Sequence, residues 1–248
     1  MTPPPGDWTR RDILKSGLAA LAAAAVPEPA ALRRIARPPP GTVVLFQGDS
    51  ITDCGRNRAG ADPNVAGALG TGYPLLVASA ELAAHPQSGL RFYNRGVSGN
   101  KVPDLQERWA ADTLALKPDV LSVLIGVNDF WHKKNGYTGT VADYETGFAA
   151  LLQATRQALP SVRLVVIEPF VLRCGAVDAS WFPEFDERRA AAARVARQAN
   201  ATFVPMQATF TELAARTSPE YWAADGVHPT PAGHGLMAER WRRAVRLP

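Results

Sequence analysis

Beyond a proline-rich stretch that ends near Pro40, short apolar runs alternate with longer segments of helical period. Thr42-Val43-Val44-Leu45-Phe46 is nearly all apolar, the pattern of a strand buried on both faces of a parallel sheet. Leu90 to Tyr93, Val120 to Ile125, Leu164 to Ile167 and Thr202 to Val204 repeat it, which predicts five strands. Between them, Pro74–Ala84, Pro103–Leu116, Val141–Leu159, Pro183–Ala199 and a shorter stretch at Phe210–Ala215 predict helices. Pro103 and Pro183 sit where proline fits, in a first helical turn. A last helix starts after Thr230-Pro231, an N-cap and N1 pair, and puts Met237, Trp241, Ala244 and Val245 on one face. Strands alternating with helices predict one α/β domain whose parallel sheet is covered on both sides. Active sites of such sheets lie outside the carboxyl ends of the strands, so residues that do chemistry should follow strands directly.

The N-terminal segment carries a different pattern. Arg10-Arg11 and Lys15 precede an apolar run from Gly17 to Val26, followed by small residues. A basic region, a short apolar region and small residues describe a signal peptide, and the arginine pair followed by Asp12-Ile13-Leu14-Lys15 resembles the twin-arginine (Tat) export signal. The run is shorter than the roughly 20 residues that span a bilayer, so a cleaved leader is expected rather than a stable membrane anchor. Ala23-Ala24-Ala25 and the Ala30-Ala31 region are both small enough for the cut. Residues 1–40 thus read as leader and linker, 41–248 as the folded domain, and the location as periplasmic or secreted.

Composition narrows the partners. With 46% hydrophobic and 20% charged residues, the chain of 248 residues can build a sizeable core. The net charge of +4 comes mainly from arginines dispersed along helices, such as Arg188, Arg189, Arg194 and Arg197, and Arg240, Arg242 and Arg243. No basic run is interleaved with aromatics, which argues against a nucleic-acid partner, and a monomer is expected. Cys54 and Cys174 are free to pair after export, but their spacing does not decide it. No Cys/His cluster has zinc spacing, so neither a metal nor an organic cofactor is expected.

Four segments carry candidate chemistry. The first strand ends in Gly48-Asp49-Ser50-Ile51-Thr52-Asp53, which places a serine just past a strand end, after a glycine that permits a tight turn. Asp225-Gly226-Val227-His228-Pro229, before the last helix, holds the base and carboxylate that a serine nucleophile needs. Gly226 lets the chain turn so that the two side chains meet. Asn94-Arg95-Gly96-Val97-Ser98-Gly99-Asn100 can present a backbone N–H to a developing oxyanion, and Gly126-Val127-Asn128-Asp129 brings an amide side chain to the same edge. Each segment alone is an ordinary turn; all four in this order are hard to explain as accident.

Together they resemble the conserved blocks of the SGNH/GDSL hydrolase family across the whole chain beyond the leader. The resemblance implies a flavodoxin-like three-layer α/β/α sandwich with a five-stranded parallel sheet. It implies a triad of Ser50, Asp225 and His228, with the N–H groups of Ser50 and Gly99 and the Asn128 amide as oxyanion hole. Gly96 is the alternative to Gly99 if the register slips. The implied reaction is two-step acyl transfer through an acyl-enzyme.

Of the remaining residues, Asp49 and Asp129 read as structural hydrogen-bonders, and His85 and His234 as solvent-facing or capping. Glu168 ends the fourth strand and should border the cleft. Trp131, His132, Tyr137, Trp181, Phe182 and Trp222 gather in loops at the same edge. From these and Phe170, the residues expected to meet substrate are Trp131, His132, Phe170 and Trp222. The stretch Gly-Asp-Ser-Ile-Thr-Asp-Cys-Gly-Arg is similar to family members that deacetylate plant oligo- or polysaccharides, and no long apolar lid follows the strands. A carbohydrate acetyl ester is therefore the expected substrate. Lysophospholipase, thioesterase and arylesterase activities, a glycan O-acyltransferase and a non-catalytic glycan-binding protein stay open as alternatives.

Overall fold

The computed structural model describes residues 39–247, so the leader expected over residues 1–40 lies almost wholly outside it. Its strands are β1 Val43–Gly48, β2 Arg91–Asn94, β3 Val120–Leu124, β4 Arg163–Ile167 and β5 Thr202–Val204. They form one parallel sheet in the order β2-β1-β3-β4-β5. The helices, in chain order among the described residues, begin with α1 Ser50–Asp53, α2 Ala66–Leu69, α3 Tyr73–Ala84, α4 Val102–Asp112 and α5 Val127–Trp131. They continue with α6 Val141–Ala158, α7 Glu184–Gln198, α8 Gln207–Ala214, α9 Pro219–Trp222 and α10 Pro231–Val245.

Side chains alternate across the sheet and so divide the core in two. Val44 and Phe46 face one side, where Tyr73 and Val77 of α3 and Met237, Trp241 and Val245 of α10 close over them. Leu45, Leu121 and Val123 face the other, under Trp109 of α4, Phe148 and Leu152 of α6 and Val195 of α7. This is the three-layer α/β/α arrangement. Each of the three buried tryptophans satisfies its one donor: Trp241 Nε1 donates to Ser122 Oγ and Trp109 Nε1 to Thr155 Oγ1, both at 2.9 Å, and Trp181 Nε1 to Ala176 O at 3.0 Å.

Two boundaries moved for a shared reason. β1 continues through Gln47 and Gly48, which pair with Val123 and Leu124 of β3. The helix expected over 103–116 stops at Asp112, and a 3₁₀ turn covers Leu114–Leu116. Thr113 leaves the helical conformation, with φ −123°, and its hydroxyl accepts from the buried Gln47 amide at 2.9 Å. A polar pair hidden from any hydrophobic pattern thus ends one element and extends another. No described helix is long and apolar enough to cross a membrane.

The strand order reverses at β1, whose neighbours β2 and β3 lie on opposite sides. The crevice outside the carboxyl ends of β1 and β3 is the topological switch point, the place where open parallel sheets bind ligands.

Candidate active site

β1 delivers Ser50 to that crevice. Gly48 crosses so close to β3 that a Cβ there would collide with the Leu124 carbonyl, so only glycine fits. Asp49, 1% exposed, caps α1 by accepting from Ile51 N–H at 3.0 Å. Ser50 opens the helix, and its N–H therefore has no intrahelical acceptor.

The loop before α10 brings in the other two groups. Gly226 has φ +83°, and a side chain there would run into the Leu172 and Cys174 carbonyls. That turn folds Asp225 back so that Oδ1 accepts from the N–H groups of Val227 (2.9 Å) and His228 (2.7 Å). Oδ2 lies 2.6 Å from His228 Nδ1, and His228 Nε2 lies 2.8 Å from Ser50 Oγ. With Nδ1–H on the carboxylate, the neutral ring presents a bare Nε2 to the serine hydroxyl. Burial pushes the Asp225 carboxyl up, but the bonds from the His228 ring and from the His228 and Val227 N–H groups outweigh it and hold it below the usual range. The loop is tied down by Leu172 N–H to Gly226 O (2.8 Å) and Ala176 N–H to Asp225 O (2.9 Å). The side chains of His228 and Asp225 remain 43% and 41% exposed, so the site lies open to solvent.

Gly99 and Asn128 follow β2 and β3. The Asn128 amide donates to Asn100 O at 3.1 Å, which leaves its second hydrogen free and joins the two loops. Between the two candidate glycines, Gly96 has spent its N–H on Asn94 Oδ1 at 2.8 Å, while no acceptor among the described residues takes that of Gly99. The ring of Trp131 stands 5.9 Å from that of His228, and His132 flanks Gly99. Burial lowers the His132 pKa, and Lys101 adds to the effect.

Other expected site residues lie elsewhere. Phe170 is fully buried and stacked on Phe210 at 4.3 Å, so the expectation that it meets substrate is corrected: it is core. Trp222 is half-buried; it packs on Phe210 and Tyr221 and donates its indole N–H to Thr217, while its carbonyl accepts from Thr230 N–H. Its backbone thus fastens the end of the Asp225–His228 loop. Trp181 is likewise core. Of the two roles expected for His234, capping holds and solvent-facing does not: it is 5% exposed, and its Nδ1 accepts from Tyr73 N–H at the start of α3. Burial lowers its pKa to about 4, with His228 adding to the effect. Glu168 accepts from the Met206 and Gln207 N–H groups at the start of α8 and pairs with Arg189, which makes it a helix cap. Asp49 and Asp129 bond backbone N–H groups as expected, and burial raises them to about 7 and about 6. Cys54 and Cys174 are both free thiols. Among the described residues no cluster of His, Cys, Asp or Glu is arranged to hold a metal ion.

Asp53 is the residue that sequence reasoning passed over. It accepts from both N–H and Oγ–H of Ser98, 45 positions away, and no local pattern signals such a pairing.

The chain as a whole has recognisable relatives. The profile of the GDSL-like lipase/acylhydrolase family matches residues 46–236. An acetylxylan esterase from Geobacillus stearothermophilus is 35% identical over 213 residues, which cover 83% of this chain and 94% of that one. A GDSL-like lipase structure from Parabacteroides merdae superposes with a TM-score of 0.83 at 46% identity, over 86% of this chain and 99% of its own. The structure of Axe2, an acetylxylan esterase from G. stearothermophilus, gives 0.75 at 33% identity, over 84% and 96%. Catalytic mutants of Axe2 replace a serine, an aspartate and a histidine.

Proposed function

The chain belongs to the GDSL-like lipase/acylhydrolase family and is an ester-hydrolysing serine hydrolase, and we propose that it removes acetyl groups from carbohydrates with Ser50 as nucleophile. The observation that carries this reading is the continuous line of hydrogen bonds from Asp225 through His228 to Ser50 at the sheet's switch point. His228 takes the Ser50 proton as Oγ attacks the ester carbonyl, and Asp225 stabilises the imidazolium that results. Ser50 N–H, Gly99 N–H and the Asn128 amide hold the oxyanion. His228 then gives its proton to the departing sugar oxygen, and water, activated by the same imidazole, releases acetate from the acyl-enzyme.

Three features favour a sugar-borne acetyl group. The candidate triad is open enough for an oligosaccharide to reach it, with His228 and Asp225 each more than two-fifths exposed. Trp131 offers an aromatic ring beside the base, and Lys101, His132, Lys133 and Lys134 line the loops with polar groups. The acetylxylan esterase relative acts, by its name, on an acetylated xylan. We further propose export through the twin-arginine leader.

Acyl-chain length tests the substrate reading. Each methylene buried in an apolar groove contributes about 0.8 kcal/mol, so a lipid-cleaving enzyme improves with chain length. Here kcat/KM should fall from acetyl through butyryl to octanoyl and palmitoyl esters of one leaving group, and acetylated xylooligosaccharides should release acetate. A rise from acetyl to octanoyl would replace this reading with a lysophospholipase or thioesterase.

A further inference from the structure

The hydrogen bonds around the candidate oxyanion hole lead to a residue that never meets substrate. α1 carries Ser50 at its start and Asp53 at its end. Asp53 is 2% exposed, and its Oδ2 accepts from the N–H (2.9 Å) and the Oγ–H (2.8 Å) of Ser98 and from the Arg58 guanidinium. Ser98 immediately precedes Gly99. Upstream of it the loop is already fastened to the nucleophile segment: Val97 N–H donates to Gly48 O at 3.0 Å, and Gly96 lies against the Asp53 backbone with no room for a Cβ. Ser98 is therefore the last residue anchored to Ser50's own segment before the free N–H of Gly99. Downstream, α5 takes over the hold. Asn128 bonds Asn100 O, and Asp129 Oδ1 accepts from Val102 N–H at 3.1 Å. Gly99 is suspended between an anchor on α1 and another on α5.

We infer that Asp53 is a positioning residue for ester hydrolysis: its grip on Ser98 sets the Gly99 N–H at the separation from Ser50 that the oxyanion requires. The inference rests on the roles proposed above for Ser50, Gly99 and Asn128. A carboxylate suits the task because charge-assisted bonds are shorter and stronger than neutral ones. Burial pushes the Asp53 carboxyl up, but the bonds from Arg58 and Ser98 outweigh it and keep the group ionised at neutral pH. Arg58 also offsets the buried negative charge. Because Val97 and Asn100 hold the loop on either side, losing Asp53 loosens Gly99 without releasing it. The expected effect is accordingly smaller than loss of a whole donor.

The test uses p-nitrophenyl acetate, whose hydrolysis needs no sugar recognition, and a trifluoromethyl ketone, which adds to Ser50 and places an oxyanion in the hole. Asp53→Ala should lower kcat roughly tenfold with KM within about twofold, and should weaken the ketone by the same factor. Asp53→Asn keeps an oxygen that can accept from Ser98; its kcat should fall about threefold with the same match, and it stands in if Asp53→Ala does not fold. A structural role alone would lower the melting temperature without that match. Wild-type kcat in these variants, or a fall in kcat with ketone affinity unchanged, overturns the inference. Full activity in Asn128→Ala would sink the oxyanion reading beneath it; loss there beside undiminished Asp53 variants would sink the positioning role alone.

Discussion

Replacing Asn128 with alanine separates catalysis from folding at one residue. The residue is 4% exposed, and its amide nitrogen lies 3.1 Å from Asn100 O. Truncation removes two things: that bond, and the second N–H assigned to the oxyanion. A bond of this kind contributes about 0.5–1.5 kcal/mol to stability, and because it is only partly buried the Asn100 carbonyl can turn to water, so the lower end applies. For a domain of this size a loss of about 0.5 kcal/mol lowers Tm by roughly 1–2 °C. One oxyanion donor is worth a factor of roughly 10²–10³ in kcat, or about 2.7–4 kcal/mol. The predicted signature is a hundredfold or greater fall in kcat, little change in KM and only a small thermal shift. Asn128→Asp keeps the shape but puts a negative charge where the oxyanion forms. Two like charges about 4 Å apart at an effective dielectric constant of about 20 repel by about 4 kcal/mol, so this variant should fall below alanine. Initial rates with p-nitrophenyl acetate and thermal melts on the same samples decide. An alanine variant within tenfold of wild type in kcat, a loss confined to KM, or an aspartate variant faster than the alanine one would refute the role.

Acid stability should depend on His234. Its pKa sits near 4 when folded, below the ordinary 6.5, so the unfolded chain takes up a proton that the folded one refuses. Stability is lost as pH falls from 6.5 toward 4, by up to about 3 kcal/mol; urea melts of His234→Asn should show a shallower pH dependence, and an unchanged slope would refute this. Trp241→Ala empties a fully buried site between Phe46 and Ser122 and should cost about 3–5 kcal/mol, with a loss under about 1 kcal/mol contradicting the packing described. Replacing Arg10 and Arg11 with lysine should trap precursor in the cytoplasm, whereas normal export of that variant would point to another route.

The parts legible in the sequence were those with a local signature. Strands buried on both faces wrote themselves as apolar runs, and Thr230-Pro231 marked the start of α10. Ser50, Asp225 and His228 stood out because turns at strand ends and a three-residue Asp–His spacing are short-range patterns. Short elements such as α1, α5 and α9 were missed, since four or five residues carry no measurable period. Phe170 was misplaced, and the burial of His234, which caps α3 rather than facing solvent, was hidden, because both depend on Phe210 and Tyr73, brought in from distant elements. Asp53 shows the same limit most clearly. It looks like one more polar residue in a turn until Ser98 folds back onto it.

The central claim is that Ser50 removes acetyl groups from a carbohydrate. Acetate released from acetylated xylooligosaccharides, measured side by side for the wild-type enzyme and Ser50→Ala of equal Tm, tests it most directly. The wild type should release acetate steadily, and the variant should fall by a factor of roughly 10⁴ or more. Acetate release by Ser50→Ala within tenfold of wild type, or none from the wild type while it cleaves longer acyl esters, would contradict the claim.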